Sequence, residues 1–230
     1  MRIAFCGTIK DDENILLTID SINHQSVKVD EIITTTEGNI AIGRNSYLKK
    51  VKADIIFTYD SGCIYEKDYV KKMLAAFDKD TDIVMGIVFP QTPESLIQEF
   101  CSLRIPQYFR FTEQDWDAFI PSNRQVAFRK SVILQLGLLP EYLSRGDDTY
   151  WYALTREKKL KFKHCEAKVY WEMKKSLGSY LRTLYQDNLI DKKYNLTPAV
   201  APQKITPLIF PYGLFVSFLA MITKLWTKLK

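Results

Sequence analysis

Three carboxylates occupy positions where an acid can do chemistry. Asp60 ends the apolar run ADIIFTYD, and Asp147 and Asp148 stand side by side after Gly146, at the predicted start of a helix. An acid at the end of a buried strand is held rigidly and can bind a ligand, whereas one at a helix start can accept a proton from an attacking hydroxyl. Each position also has a structural interpretation, because Asp is a frequent helix N-cap and turn residue. Position alone leaves the two interpretations of Asp60 about even.

The composition is that of an ordinary globular protein. The chain has 230 residues and is 47% hydrophobic, which is enough for one large domain or for one domain with an appendage. The four cysteines form no CxxC pair, and no signal-peptide pattern opens the sequence, so we expect a reduced, cytoplasmic setting. The two histidines have no metal-type spacing to the cysteines, which argues against a zinc site.

Strand-like and helix-like segments alternate along the chain. Apolar residues recur at helical spacing between the strand-like runs, as Ile15, Ile19 and Ile22 do. The predicted strands are RIAFCGT, DEIITTTEG, ADIIFTYD and TDIVMGIVFP, and helices are predicted in DENILLTIDSINHQ and over residues 45–51, 68–77 and 130–136. This alternation predicts an α/β fold, with right-handed crossovers and a mainly parallel open sheet flanked by helices.

The ends of the predicted strands indicate where a ligand would bind. In open sheets of this kind, ligands bind beyond the carboxyl ends of the strands, and Thr8, Glu37 and Asp60 each follow such an end. The first strand is followed by CGTIKDDEN, which has neither the GxGxxG nor the GxxxxGKS spacing. A Rossmann dehydrogenase and a P-loop enzyme are therefore both disfavoured.

An ordered set of short motifs supports a more specific interpretation. In chain order they are FCGTIKDDEN, SINHQS, EIITTTEG, GRN at residues 43–45, YDSGC and GDD. This set resembles the family 2 inverting glycosyltransferases, which have the A-type, Rossmann-like nucleotide-sugar-binding fold. The segments PSNRQVAFRKS, GLLPEYL, GDDTYW and AKVYW are similar to the subgroup whose third strand ends in Asp-small-Gly-Cys. The resemblance covers about residues 1–190, and the set is specific although each motif alone is weak.

The resemblance implies a role in donor binding for the residues that follow the first three strands. Thr8, Thr36 and Glu37 would lie against the nucleotide base and ribose. Arg44 would help to hold the loop over the donor. Asp60, as the first acid of a DxD-like motif, would contact the ribose or a metal-bound diphosphate.

On the acceptor side, the resemblance implies a single in-line displacement with Asp148 as the base that deprotonates the acceptor hydroxyl. Its neighbour Asp147 becomes the essential acid only if the register of the motif differs. Asn123 and Arg124 would line the acceptor side, and Trp171 would pack near the sugar.

The resemblance also implies a divalent cation, Mn or Mg, which would bridge the diphosphate with Asp60 as its protein ligand. The sequence departs from the family pattern here, because Gly62 stands where the second acid of the DxD motif would be. Asp60 would then bind the cation directly or through water, and Arg124, Arg129 or Lys174 would share in neutralising the diphosphate.

Two alternatives belong to other classes of protein. A catalytically degenerate sugar-binding or scaffold relative would explain the missing acids, although the retention of both Asp60 and Asp148 argues against it. A nucleic-acid binder would explain why the chain from residue 156 onward holds 15 Lys and Arg against 5 Asp and Glu. The sequence shows no basic strip interleaved with aromatic residues and no nucleic-acid-binding motif, so we expect no nucleic-acid partner.

The end of the chain, ITPLIFPYGLFVSFLAMITKLWTKLK, predicts an amphipathic helix. Its apolar residues recur at spacings of three and four, namely Phe215, Phe218, Leu219, Ile222, Leu225, Trp226 and Leu229. A helix with a basic second face is typical of one that lies in a membrane surface, although docking on its own domain or on a second subunit is nearly as well supported. Pro207, Pro211 and Lys224 argue against a transmembrane span.

These observations predict a catalytic domain over residues 1–200, with a nucleotide-sugar-binding half at 1–90 and an acceptor-binding half at 91–200, and a helical tail at 201–230. The expected activity is inverting transfer of a hexosyl group from a nucleoside-diphosphate sugar to a hydroxyl of an acceptor. The tail suggests a lipid-linked or membrane-proximal glycan as the acceptor, at the cytoplasmic face of a membrane. An oligomer is compatible with the same pattern.

Overall fold

The computed structural model describes residues 1–9, 15–101, 122–173 and 175–194, together with residues 215, 218–219, 221–223 and 225–226 of the tail. The strands are β1 (Ile3–Thr8), β2 (Glu31–Thr35), β3 (Ile55–Tyr59), β4 (Cys63–Tyr65), β5 (Ile83–Pro90), β6 (Val126–Arg129) and β7 (Phe162–Trp171). The helices are α1 (Ile15–Asn23), α2 (Ile40–Lys50), α3 (Tyr69–Ala76), α4 (Lys130–Leu136), α5 (Asp147–Glu157) and α6 (Leu177–Tyr194). Residues 96–101 and the described tail residues are also helical.

The seven described strands form one mixed sheet in the order β2-β1-β3-β6-β5-β7-β4. The pairs β1–β2, β1–β3 and β5–β7 are parallel, whereas β6 runs antiparallel to both β3 and β5, and β4 runs antiparallel to β7. The predicted α/β open sheet with flanking helices is confirmed. The sheet is less uniformly parallel than expected, because β4 and β6 run antiparallel to their neighbours. The sequence did not predict β6, since its four residues run directly into α4 and are too few to show a strand period.

Two apolar layers cover the two faces of the sheet. On one face, α1 and α3 pack over an aromatic cluster in which the rings of Phe5 and Phe57 stack at 4.8 Å and that of Tyr65 meets Phe5 edge-on. On the other face, α2, α4 and α5 bury Tyr47, Val132 and other apolar side chains. Every residue of β3 is buried. The acid that follows this strand is therefore fixed in position by the core.

The helix α2 begins five residues earlier than the sequence predicts. The side chain of Asn39 caps it by accepting a hydrogen bond of 3.0 Å from the backbone N–H of Ile42. Gly43 lies inside the helix, where a Cβ would be 2.3 Å from Thr8 Cγ2. The absence of a side chain at Gly43 thus allows the close packing of α2 against the end of β1.

The direction of β6 determines which residues share the edge of the sheet. The carboxyl ends of β1, β2, β3, β5 and β7 lie at one edge, because these strands run the same way. Antiparallel β6 starts at that edge, with Ala127 opposite Phe57 of β3. Residues 122–125, which precede β6, are therefore brought beside Asp60.

Among the described residues, no helix has both the length and the apolar character that crossing a bilayer requires. In the described part of the tail, the side chains of Phe215, Phe218, Leu225 and Trp226 are each more than half exposed. The ring of Trp226 nevertheless lies 5.6 Å from that of Tyr185 in α6.

Candidate functional site

Asp60 lies between two arginines at the carboxyl edge of the sheet. Its Oδ1 is 3.4 Å from Nη2 of Arg44, and its Oδ2 is 3.3 Å from Nε of Arg124. The side chain of Asp60 is 23% exposed, so it is partly buried at this edge. That this acid stands at the mouth of a ligand-binding crevice stays a prediction.

Asp147 is the buried member of the adjacent pair of acids. Its carboxylate forms an ion pair with Nε of Arg44 and accepts a hydrogen bond of 2.7 Å from Nδ2 of Asn123. Arg44 thus bridges the acid after β3 and the acid that begins α5. The sequence did not predict this pairing, because nothing in the local pattern relates residues so far apart in the chain.

The guanidinium of Arg44 is almost completely buried. Burial lowers its pKa, but the charge of Asp147, the phenol of Tyr47 and the charge of Asp60 more than offset this, so that the pKa lies above its ordinary value. Its Nη1 donates to the hydroxyl of Tyr47 at 3.2 Å. Arg44 is therefore a permanent positive charge inside the site, where it holds two carboxylates.

Arg124 is held from three sides. Its guanidinium carbon lies 3.7 Å from the centroid of the Trp171 ring, and its Nη1 donates to Oγ of Ser122 at 2.8 Å. Its Nε faces Asp60 as an ion pair without the alignment of a hydrogen bond. The backbone carbonyl of Arg124 accepts a hydrogen bond of 3.0 Å from the hydroxyl of Tyr65. Trp171 thus contacts the cation that faces Asp60.

Asp148 has a different environment from its neighbour. It is partly buried, and it lines a cavity of about 30 Å³ together with Asn123 and apolar side chains of β6, α4 and α5. Gly146, with φ of +74°, turns the chain into α5 immediately before the two acids. The turn and the helix direct successive side chains to different surroundings, so the two acids are not equivalent.

The residues predicted to contact the nucleotide lie at the same edge. Oγ1 of Thr8 is 3.0 Å from Oγ1 of Thr35, and Thr35 in turn donates to the carbonyl of Gly43. Thr36 and Glu37 are exposed just beyond β2, and Oγ of Ser46 lies 3.4 Å from a carboxylate oxygen of Glu37. The edge is therefore lined by hydroxyl and carboxylate groups, which suit a ribose.

A second set of hydrogen bonds, not predicted from the sequence, joins α2 to the segment before α5. Nδ2 of Asn45 donates to the carbonyl of Leu139 at 2.8 Å, and Oδ1 of Asn45 accepts from the N–H of Leu139 at 2.9 Å. Nδ2 of Asn39 donates to the carbonyl of Glu141 at 2.6 Å. These bonds attach α2 to the segment that leads to Asp147. The GRN motif was the only sequence signal for these hydrogen bonds. It contains Asn45 but does not indicate that Leu139 is the partner.

Two other cations were expected to share in neutralising a diphosphate. Arg129 lies at the opposite end of β6, where its Nε donates to the carbonyl of Thr81 and its Nη2 to the carbonyl of Asp78. It is therefore remote from Asp60. Lys174 lies outside the described residues.

The described acids do not form a cation site. No group of three or more His, Cys, Asp or Glu side chains within the described ranges is arranged to hold a metal ion. Both oxygens of Asp60 face guanidinium groups, which repel a divalent cation. Gly62 has φ of +72°, a conformation that side-chain-bearing residues rarely adopt, and a Cβ there would lie 3.4 Å from Cβ of Glu172. The local backbone thus favours glycine where the second acid of the motif would stand.

Comparison with solved structures shows which fold this is. The structure of S. aureus TarS 1-349 in complex with UDP aligns with a TM-score of 0.52 and 13% identity, over 86% of this chain and 68% of that one. The mannosyltransferase PcManGT from Pyrobaculum calidifontis, in complex with GDP-Man and Mn2+, aligns with a TM-score of 0.60 and 13% identity, over 98% of this chain and 73% of that one. At this level of identity the likeness shows the fold alone. The predicted A-type glycosyltransferase fold is confirmed.

Sequence comparison shows the family. Comparison with curated proteins gives no significant match. The model of the family described as Glycosyl transferase family 2 matches residues 19–137, which is slightly more than half of the 230 residues. The match includes α2 with Arg44, the strand that ends before Asp60, and Asn123 and Arg124. The chain therefore belongs to glycosyl transferase family 2, a family of sugar-transferring enzymes.

Proposed function

We propose that this protein transfers a hexosyl group from a nucleoside-diphosphate sugar to a hydroxyl of an acceptor, with inversion at the anomeric carbon. The observation that carries the proposal is the continuous charged chain Arg124–Asp60–Arg44–Asp147, which ends beside Asp148. It joins a donor-facing acid to the acids at the start of α5. A structural N-cap role for Asp60 would not require two arginines.

Asp148 is the proposed base. Asp147 is already engaged by Arg44 and Asn123 in the interior, so it is poorly placed to take a proton from an incoming hydroxyl. Asp148 is less buried and lines a cavity with Asn123 and apolar side chains, so its carboxylate is the more accessible of the two acids. We assign Asp147 a positioning role, in which it fixes the first turn of α5.

The reaction is a single displacement. The acceptor oxygen forms a bond to the anomeric carbon while the bond from that carbon to the phosphate oxygen breaks. The proton of the acceptor hydroxyl passes to Asp148, and the nucleoside diphosphate leaves with the bonding electrons. The chain must therefore supply a base on one side of the sugar and positive charge on the other.

The donor class is supported by what the relatives bind. The TarS structure contains UDP and the PcManGT structure contains GDP-Man. In this chain, Thr8, Thr36 and Glu37 line the edge of the sheet where a nucleoside would lie. We assign them, with Arg44 behind them, to the nucleotide side, and Asn123 to the acceptor side.

The predicted Mn or Mg ion at Asp60 stays a prediction. The PcManGT structure contains Mn2+, which is a property of that relative. Because the described acids of this chain do not form a cation site, we derive no step through a metal ion.

The proposed acceptor is lipid-linked or close to a membrane. The exposed apolar side chains of the tail, combined with the excess of Lys and Arg after residue 156, fit binding to an anionic membrane surface on the cytoplasmic side. Flotation with anionic liposomes, comparing the full chain with one that ends at residue 203, tests this part. We expect only the full chain to float, and equal behaviour of the two chains would contradict a membrane role for the tail.

A donor screen tests the activity itself. Released nucleoside diphosphate is measured with UDP- and GDP-sugars, with polyprenyl-phosphate-linked glycans as acceptors. We expect release from one donor class that depends on the acceptor and is lost in Asp148→Asn. Binding of sugars without release from any donor would instead favour the degenerate sugar-binding relative.

A further inference from the structure

We propose that Arg124, held between Asp60 and Trp171, neutralises the diphosphate of the donor in place of a divalent cation. This rests on the proposed function, because it assumes a nucleoside-diphosphate donor. From the sequence, Arg124 was expected to have only a share of this task beside a metal ion, whereas here Arg124 replaces the ion.

The first step of the argument is the local charge around Asp60. A carboxylate that binds a divalent cation must present at least one oxygen away from other positive charges, since like charges this close repel strongly. Here Arg44 lies 3.4 Å from one oxygen and Arg124 lies 3.3 Å from the other. Arg44 cannot withdraw, because it is buried and also paired with Asp147.

The second step is the missing ligand. A cation bound by Asp60 alone would take its other ligands from water and the diphosphate, and a second protein carboxylate that would strengthen its hold is absent at Gly62. Gly62 supplies no side chain, and its carbonyl already accepts hydrogen bonds from Nε2 of Gln91 at 2.9 Å and from the N–H of Glu172 at 3.0 Å. The carbonyl of Gly62 is thus already engaged by residues that follow β5 and β7.

The third step distinguishes the two arginines. The side chain of Arg44 is 2% exposed, whereas that of Arg124 is 23% exposed. Only Arg124 can meet a ligand in the crevice without a rearrangement of the core. Arg44 serves as the fixed charge that holds Asp60.

The fourth step is the preorganisation of Arg124. Stacking on Trp171 fixes the plane of the guanidinium, while Asp60 and Ser122 engage Nε and Nη1. A guanidinium has five N–H donors, so among the described residues these two partners leave donors for a ligand. Its planar fork matches a phosphate, and an oriented fork loses little entropy on binding.

The diphosphate then shares Arg124 with Asp60. The guanidinium donors that face neither Asp60 nor Ser122 can bind a phosphate oxygen, so the carboxylate of Asp60 stays between its two arginines. As the bond from the anomeric carbon to the phosphate oxygen breaks, the leaving group becomes more negative and its attraction to Arg124 increases. In this proposal the charge of Arg124 assists departure of the leaving group, and Asp148 takes the proton.

The test measures binding as well as activity. UDP and GDP are titrated into the full chain by calorimetry, in EDTA and again in Mn2+, and Mn2+ alone is titrated with spin-resonance detection of the free ion. We expect the nucleotide that binds to do so with the same Kd, within about twofold, in both solutions. We expect no stoichiometric binding of Mn2+ alone. Sugar transfer should also persist in EDTA.

Variants separate Arg124 from general effects of charge. Arg124→Gln should weaken nucleotide binding at least tenfold, and Arg124→Lys should be intermediate because it keeps the charge but loses the fork. Lys130→Gln, at an exposed lysine where α4 begins, is the matched control and should bind like the parent. Thermal unfolding of each variant checks that the fold is retained.

Three results would overturn the proposal. They are a tenfold loss of nucleotide binding in EDTA that Mn2+ restores, stoichiometric Mn2+ binding that Asp60→Asn abolishes, and parent-like binding by Arg124→Gln. Failure of the proposed function looks different, because then neither UDP nor GDP binds under any condition.

Discussion

Arg44 and Asp147 form an ion pair in the interior, with side chains only 2% and 7% exposed. Removing two charges from water is costly, and a buried pair recovers this cost only when its remaining donors and acceptors are satisfied. Tyr47 and Asn123 provide such partners here. The pair joins α2 to the first residue of α5 and so fixes where Asp148 lies relative to Asp60.

The two adjacent acids should respond differently to the same substitution. Asp148→Asn should lower the rate of sugar transfer by a factor of about 100 or more, because the amide cannot accept the proton, while nucleotide binding and stability are retained. Asp147→Asn should instead lower the free energy of unfolding by roughly 3 kcal/mol, because it leaves Arg44 underpaired in the interior. Steady-state kinetics and denaturant unfolding of both variants distinguish the roles. A stable, inactive Asp147→Asn would reverse the assignment.

Asn45 should be important for stability although it is remote from the chemistry. Asn45→Ala removes both hydrogen bonds to the backbone of Leu139 and leaves that buried N–H and carbonyl without partners. We expect a loss of about 2 kcal/mol or more in the free energy of unfolding. Asn39→Ala, which removes a helix cap and a hydrogen bond to the carbonyl of Glu141, both at a more exposed position, should cost about 1 kcal/mol. Equal effects in chemical denaturation would show that burial of the two hydrogen bonds to Leu139 adds nothing.

Gly43 should not tolerate alanine, although it lies in a helix. The added Cβ would lie 2.3 Å from Thr8 Cγ2 and 2.8 Å from Thr8 Oγ1, so either Thr8 or α2 must shift. We expect a loss of about 1–3 kcal/mol and weaker nucleotide binding, because Thr8 lines the edge of the sheet.

The matched control for Gly43 is Gly178→Ala, at a helical glycine where an added Cβ meets nothing within 4 Å. Alanine there should stabilise the chain slightly, because it is the better helix former. Differential scanning calorimetry of the two variants provides the comparison. A neutral Gly43→Ala would mean that the contact with Thr8 adapts easily.

Stability should fall at alkaline pH partly through Cys63. Burial raises the pKa of this thiol to about 12 from an ordinary value of 9.0, with a smaller lowering by the charge of Arg124. Between these values the unfolded chain has lost the proton and the folded chain retains it, so raising the pH favours unfolding. The slope from one such proton is at most about 1.4 kcal/mol per pH unit. Urea unfolding between pH 9 and pH 11 should show a shallower decline in Cys63→Ala than in the parent, and identical slopes would contradict the assignment.

The sequence predicted some parts of this molecule well, for identifiable physical reasons. Hydrophobic runs and the acids that follow them are local signals, so β3 and the position of Asp60 at its end could be found, and α4 has the predicted bounds. The charged chain through Arg44 depends on contacts between distant residues. No spacing rule relates Arg44 to Asp147 or Asn45 to Leu139. The stacking of Arg124 on Trp171 was missed for the same reason, and the placement of Trp171 near the sugar stays a prediction.

The position of β6 between β3 and β5 means that the order of strands in space is not their order along the chain. The first ninety residues contain β3 and β5 but not the strand that separates them. A polypeptide cut there would leave one edge of β3 and both edges of β5 without a partner, and such apolar edges are sites of self-association. During synthesis on the ribosome, the centre of the sheet likewise stays open until residue 129 has emerged. β5 therefore cannot join β3 in one sheet until β6 has been made.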